Sequence, residues 1–88
     1  MRIEYSSNFE RDLNDVDDKK LRARIAKRIR AIESAETLRE IAGVEKLEGH
    51  EDAYRIRIGS YRLGFLFDGE RIILGRFLHR KDIYNNFP

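Results

Sequence analysis

The stretch Tyr54-Arg55-Ile56-Arg57-Ile58-Gly59-Ser60-Tyr61-Arg62-Leu63 decides the architecture. Apolar and charged residues alternate up to Gly59-Ser60 and again beyond it, the period-two pattern of strands with one buried face. A two-residue connection that begins with glycine fits a type II′ hairpin turn, because that position needs positive φ. The register follows: Ile58 faces Tyr61, Arg57 faces Arg62, Ile56 faces Leu63 and Arg55 faces Gly64. One side of the hairpin then carries Tyr54, Ile56, Ile58, Tyr61, Leu63, Phe65 and Phe67 as a core. The other carries Arg55, Arg57 and Arg62. Placing Arg57 across from Arg62 is a destabilising like-charge pair in the free protein, and it suits a cradle for phosphate.

Downstream, a second turn lies within Asp68-Gly69-Glu70, and a third strand runs over about Arg71 to Leu78. Either two-residue turn keeps the same parity. Strict alternation puts Ile72, Leu74 and Leu78 on the core face, and Ile73, Gly75, Phe77 and His79 with the arginines. Arg76 then falls on the core side and has to lie at its rim. Gly64 and Gly75 are mid-strand on the arginine face, where glycine weakens a strand and marks the close approach of a ligand or another backbone. From Tyr54 to Lys81 seven basic residues face two acidic ones, a local excess that attracts an anion. The plain alternative is a solvent-facing sheet whose arginines hold water.

Upstream, Arg2 to Tyr5 reads as a short opening strand. Ser7 with Glu10 forms a capping box for a helix over about Asn8 to Val16 that presents Phe9, Leu13 and Val16. Asp17 or Asp18 caps a second helix, whose Leu21, Ile25, Ile29 and Ile32 draw one apolar stripe. Its other faces hold Arg22, Arg24, Lys27, Arg28 and Arg30, either a solvated surface or a contact with nucleic acid. Thr37 to Ala42 forms a helical turn with Thr37 and Glu40 as a capping pair, and Gly43 stops it. Val44 to Glu48 stays open between strand and loop, and Gly49-His50-Glu51-Asp52 is a polar loop in which His50 reads as an ordinary residue. The fold class is therefore α+β: one domain over residues 1–88, a small antiparallel sheet with two N-terminal helices on one face, in the order β-α-α-β-β-β.

Composition closes off several chemistries. The chain has no cysteine, which excludes disulfides, thiolate zinc sites and cysteine nucleophiles. Its net charge is only +2, so the location of charge matters more than its sum. No apolar stretch reaches the roughly 18 residues of a membrane span, and the start Met-Arg-Ile-Glu-Tyr has no signal-peptide h-region. A cytoplasmic protein with no membrane partner, no metal and no cofactor is expected.

The segment from Tyr54 to Leu63, followed by Leu78-His79-Arg80-Lys81-Asp82-Ile83-Tyr84, resembles the RelE/ParE toxin superfamily of type II toxin–antitoxin systems. Element order and length agree over nearly the whole chain, with the diagnostic part in the final third. The resemblance implies an endoribonuclease that cuts mRNA on the ribosome and is held inactive by a cognate antitoxin in a hetero-oligomer. It also implies an alternative, an inhibitor of DNA gyrase with no nuclease activity, since both occur on one fold. An inert module that holds RNA or antitoxin is a third reading.

As the resemblance carries them over, Arg57, Arg62, His79, Arg80 and Tyr84 are the catalytic candidates and Arg55 contacts substrate; Phe77, from its place on the arginine face, and Lys81, from the local basic excess, are read as further substrate contacts. The chemistry is consistent with these residue types. RNA brings its own nucleophile, the 2′-hydroxyl, so the enzyme aligns it, takes its proton, balances phosphorane charge and protonates the leaving oxygen. Guanidinium forks match phosphate oxygens. Some ribonucleases of the family place lysines at the positions of Arg55 and Arg57, and arginine is a poor base. The acid/base role therefore moves to His79, with Tyr84 as a second candidate or as a stacking platform, and Glu48 or Glu51 as further possibilities. Against this, His79 reads equally as a surface residue, and Tyr84 as part of an anchor that packs Ile83 and Phe87.

Overall fold

Gly59 adopts φ of +59° while Ser60 keeps negative φ, which makes the connection a type II′ turn, because type I′ needs both residues positive. The computed structural model describes residues 1–88. In chain order it contains β1 (Arg2–Tyr5), α1 (Ser7–Asn14), α2 (Lys19–Ser34), a 3₁₀ turn (Leu38–Glu40), β2 (Val44–Lys46), β3 (Ala53–Ile58), β4 (Tyr61–Phe67), β5 (Arg71–His79) and α3 (Arg80–Asn86). The hairpin register is the one that the turn dictates: Ile58 opposite Tyr61, Arg57 opposite Arg62, Ile56 opposite Leu63 and Arg55 opposite Gly64. Gly69 takes φ of +97°, and Phe67 pairs with Ile72, so the second turn is built on Gly69-Glu70. Asp68 clasps it by accepting from the backbone amides of Glu70 and Arg71.

The sheet has five strands in the order β1-β5-β4-β3-β2. It is antiparallel except where β1 lies parallel to β5. Residues 44–46, left open by sequence, form the edge strand β2 against β3. The helix-side core unites Phe9 of α1 and Ile25, Ile29 and Ile32 of α2 with Ile56, Ile58, Leu63, Phe65, Ile72, Leu74 and Phe77 of the sheet. The helical stripe and the alternating strand face are therefore the two halves of one apolar layer. Helix α1 is capped by Ser6, whose Oγ accepts from the Phe9 amide, rather than by Ser7. Ser6 Oγ also donates to the Gly75 carbonyl, so this cap fastens the helix to β5. Asp18 caps α2 through the amides of Lys20 and Leu21, and Glu40 holds the Thr37 amide and hydroxyl.

The alternation breaks at Gly75. Gly64 pairs with Arg76 while the next residue, Phe65, pairs with Leu74, so Gly75 is the extra residue of a β-bulge. One inserted residue reverses the facing of everything after it. Phe77 therefore turns into the core, 2% exposed and stacked on Tyr61 at 5.2 Å, and Leu78 pairs with Arg62 instead of joining the core. His79 comes opposite Tyr61 on the helix side, edge-on to that ring. The expected placement of Phe77 and His79 beside the arginines is thus overturned.

Asp12 of α1 stabilises this bulge. β1 ends at Tyr5 opposite Leu74, which leaves the outer edge of β5 without a strand partner beyond that point. The Asp12 carboxylate, 8% exposed, fills the place of that strand by accepting from the Phe77 amide at 2.9 Å. It also accepts from Arg76 Nε at 2.8 Å and Nη2 at 3.2 Å. That bond holds the Arg76 pKa above its ordinary value, and Arg76, opposite Gly64, leaves the core face expected of it by the same change of parity.

Candidate functional site

The outer face of the sheet collects the arginines. Arg55 and Arg57 project from β3 to the same side, with Arg62 of β4 directly across from Arg57. Glu45 on β2 is opposite Arg55, and its two carboxylate oxygens lie 3.3 Å from Arg55 and 3.7 Å from Arg57. Nothing in the sequence pattern flags Glu45, because its strand was unassigned and its partners come from a different strand pairing. The Arg57 side chain stays 66% exposed against 32% for Arg55, so Arg57 is the more available of the two to a ligand. Arg55 Nε is buried with no hydrogen-bond partner in the protein.

Arg62 is braced from its own turn: Nη1 donates to the carbonyls of Gly59 and Tyr61. Its pKa is lowered by partial burial, then by the charges of Arg57 and Arg55, with a further contribution from Arg80 and partial relief from Glu45. These four guanidinium groups therefore share one electrostatic neighbourhood. Arg80 reaches it because its backbone amide donates to the Ser60 carbonyl at 2.8 Å, which docks the start of α3 on the hairpin turn. An anion placed here relieves repulsion already present in the free chain. Lys81 is exposed on the same helix.

Beside the arginines lies a cleft of about 370 Å³ lined by Lys46, Glu48, His50, Arg55, Ile83 and Tyr84 among others. Its walls are the loop after β2 and helix α3, a helix not foreseen from sequence. Tyr84 is 81% exposed while Ile83 is 3% exposed, so α3 packs through Ile83 and presents Tyr84 to solvent. His50 and Glu48 line this cleft together with Tyr84, whereas His50 read as an ordinary loop residue. The space over Gly64 and Gly75, where a ligand or another backbone is expected to approach, is filled by the ring of Phe87.

His79 is placed elsewhere. It lines a second cleft of about 370 Å³ on the helix side, floored by Tyr61 and Phe77 and rimmed by Asp12, Asp15, Asp17, Asp18 and Asp82. Its Nδ1 accepts from the Lys81 amide at 3.1 Å and so caps α3. The structure thus brings together Arg55, Arg57, Arg62, Arg80 and Tyr84, and it separates Phe77 and His79 from them. No group of three or more His, Asp or Glu side chains is arranged to hold a metal ion, and no helix is long and apolar enough to cross a membrane.

Residues 3–84 match the family model described as the ParE toxin of type II toxin–antitoxin system, parDE. The chain belongs to the RelE/ParE toxin superfamily. Its relatives agree with that placement. Toxin RelE3 of Methanocaldococcus jannaschii is 36% identical over 89 residues, covering all of both chains. The RelB-RelE antitoxin-toxin complex from Methanococcus jannaschii superposes with a TM-score of 0.80 at 35% identity, over 97% of this chain and 99% of that one. The archaeal RelE-RelB complex from Pyrococcus horikoshii gives a TM-score of 0.70 at 25% identity, over 92% and 96% of the two chains. The RelE/ParE resemblance noted on Tyr54–Leu63 and Leu78–Tyr84 thus extends to the whole chain.

Proposed function

We propose that this toxin is an endoribonuclease that cleaves mRNA on the ribosome through attack of the RNA's own 2′-hydroxyl, with no metal ion. The observation that carries the proposal is the arginine face: Arg55 and Arg57 of β3 with Arg62 directly across from Arg57, and Arg80 docked on the hairpin turn, beside a cleft that presents an exposed Tyr84. In this reading the 2′-oxygen attacks the adjacent phosphorus and the bond to the 5′-oxygen breaks. The products are a 2′,3′-cyclic phosphate and a 5′-hydroxyl, whose leaving oxygen takes its proton from water. Arg57, Arg62 and Arg80 offset the charge that grows on the phosphorane, a role in which prearranged donors gain most. Arg55 and Lys81 hold flanking phosphates.

The proton has to leave the 2′-hydroxyl, and His79 faces the other side of the sheet. Glu45 is the carboxylate on the arginine face, held between Arg55 and Arg57, and it takes the role of base in this scheme. Tyr84 stacks on the base next to the scissile phosphate, which a ring so exposed at a cleft edge can do. The relatives solved as antitoxin-toxin complexes support a cognate antitoxin for this chain as well, forming a hetero-oligomer and laying acidic residues over the arginine face.

Purified, antitoxin-free protein incubated with ribosomes and mRNA in EDTA is expected to yield fragments that end in 2′,3′-cyclic phosphate. Growth arrest in cells without any such fragments would overturn the proposal. A second reading, a poison of DNA gyrase without nuclease activity, is favoured by the ParE description of the family model. It predicts gyrase trapped on cleaved DNA and intact mRNA in the same cells.

A further inference from the structure

We infer that Phe87 is a positioning residue: its ring, keyed into a notch made by Gly64 and Gly75, fixes α3 so that Tyr84 stands over the cleft. The inference rests on the proposed nuclease reading for its consequence in catalysis, but the contact itself is geometric.

The notch is a product of the sheet. Gly64 on β4 and the bulged Gly75 on β5 lie next to each other on the outer face, and neither has a Cβ. A Cβ built on Gly64 would stand 2.6 Å from Phe87 Cδ2 and 2.7 Å from Cε2. One built on Gly75 would stand 2.7 Å from Cε1 and 3.3 Å from Cδ1. The ring therefore lies across both strands, one edge on each glycine, at separations that no side chain there would permit. Mid-strand glycine weakens a sheet by leaving nothing to pack, and here an aromatic ring from the chain's own C-terminal segment replaces the missing side chains.

The consequence runs through α3. The Phe87 amide donates to the Ile83 carbonyl at 3.0 Å, so the ring is held in the helix's frame. Ile83 is buried and Phe87 half-buried, while Tyr84 between them is exposed. A seven-residue helix is too short to hold itself together in water. Its orientation depends on anchors at its ends. His79 caps its start, Ile83 packs its middle, and the Phe87 ring locks its end. With the lock removed, the far end frays and Tyr84 samples many positions, of which few face the arginines.

The test is a double-mutant cycle on full-length toxin, read as kcat/KM for RNA cleavage. Phe87→Ala is expected to lower kcat/KM as much as Tyr84→Ala does, about tenfold to a hundredfold if a stacked base is lost. The double variant is expected to be no worse than either single one, because both remove the same stacking. Phe87→Tyr, which keeps both ring edges, is expected to restore activity. Gly64→Ala attacks the same contact from the sheet side and should mimic Phe87→Ala. NMR supplies an arm that does not depend on activity: the Phe87 ring should shift the Gly64 and Gly75 Hα resonances upfield, and Phe87→Ala should increase backbone mobility over Arg80–Asn86. Full additivity of the Phe87 and Tyr84 effects, or unchanged mobility of α3 in Phe87→Ala, would overturn the inference. If the wild-type protein cleaves no RNA, it is the nuclease reading that fails, and the NMR arm alone then decides the role of Phe87.

Discussion

Replacing Asp12 with alanine tests whether the bulge at Gly75 is held by one carboxylate. The substitution strands two groups. The Phe77 amide loses its only acceptor, at 2.9 Å in a buried setting, and a buried donor left unpaired costs about 1–3 kcal/mol. Arg76, whose side chain is 25% exposed against 7% for Asp12, loses a bidentate partner. Breaking a fully buried pair costs about 3–5 kcal/mol, and the partial exposure of Arg76 lets water recover part of that. A total of about 3 kcal/mol is expected, which in a domain of this size lowers Tm by roughly 12–24 °C. Asp12→Asn keeps an acceptor for the Phe77 amide and removes only the charge, so about half the effect should remain. Thermal and urea unfolding followed by circular dichroism measure both. A loss below about 1 kcal/mol for Asp12→Ala would refute the reasoning.

Further expectations concern the site and its charge. Arg62→Ala should lower RNA cleavage about a hundredfold or more, as removal of a preorganised transition-state donor does elsewhere, and Arg62→Lys should recover little because the fork is lost. His79→Asn, which preserves a cap for α3, should stay within about fivefold of wild type in the cleavage assay, since exchange of one good cap for another is worth under ~1 kcal/mol; a collapse of activity would return His79 to the chemistry. RNA binding should weaken with salt on a log–log slope of about −2, from three neutralised phosphates, the scissile one and the two held by Arg55 and Lys81, at about −0.7 each on a single strand. Asp68 has its carboxyl pKa drawn down from 3.8 to about 2 by the Arg71 and Glu70 amides and the Arg71 side chain. The unfolded chain takes up that proton at higher pH than the folded one, so Asp68 adds stability that is fully present above about pH 4 and lost as pH falls towards 2. Asp68→Asn should flatten the acid limb of a Tm-versus-pH curve in that window.

The hairpin was legible because one short dipeptide fixed it: Gly59-Ser60 allows a single register, and that register alone puts Arg55, Arg57 and Arg62 on one face. The α2 stripe was legible for the same kind of local reason. Past Gly75 the alternation misled, because a bulge changes parity without changing composition; the signs available were the glycine itself and an arginine, Arg76, assigned to a core face. That single inserted residue removed Phe77 and His79 from the predicted site. The contributions of β2 and α3 were hidden differently. A three-residue strand and a seven-residue helix are shorter than the windows in which periodicity can be read, and both exist through tertiary contacts. Glu45, and the cleft where Lys46, Glu48 and His50 join Tyr84, depend on those two elements and so had no local signature.

The most direct test of the nuclease account is a ribosome-bound mRNA that carries one 2′-deoxynucleotide on the 5′ side of a cut site first mapped with the all-ribose message. The account predicts that this message is occupied by the toxin as before but stays intact at that bond, because the attacking oxygen is missing. Cleavage of the deoxy-substituted bond at the normal rate would mean that another nucleophile does the work, and the roles given to Glu45 and the arginine face would fall with it.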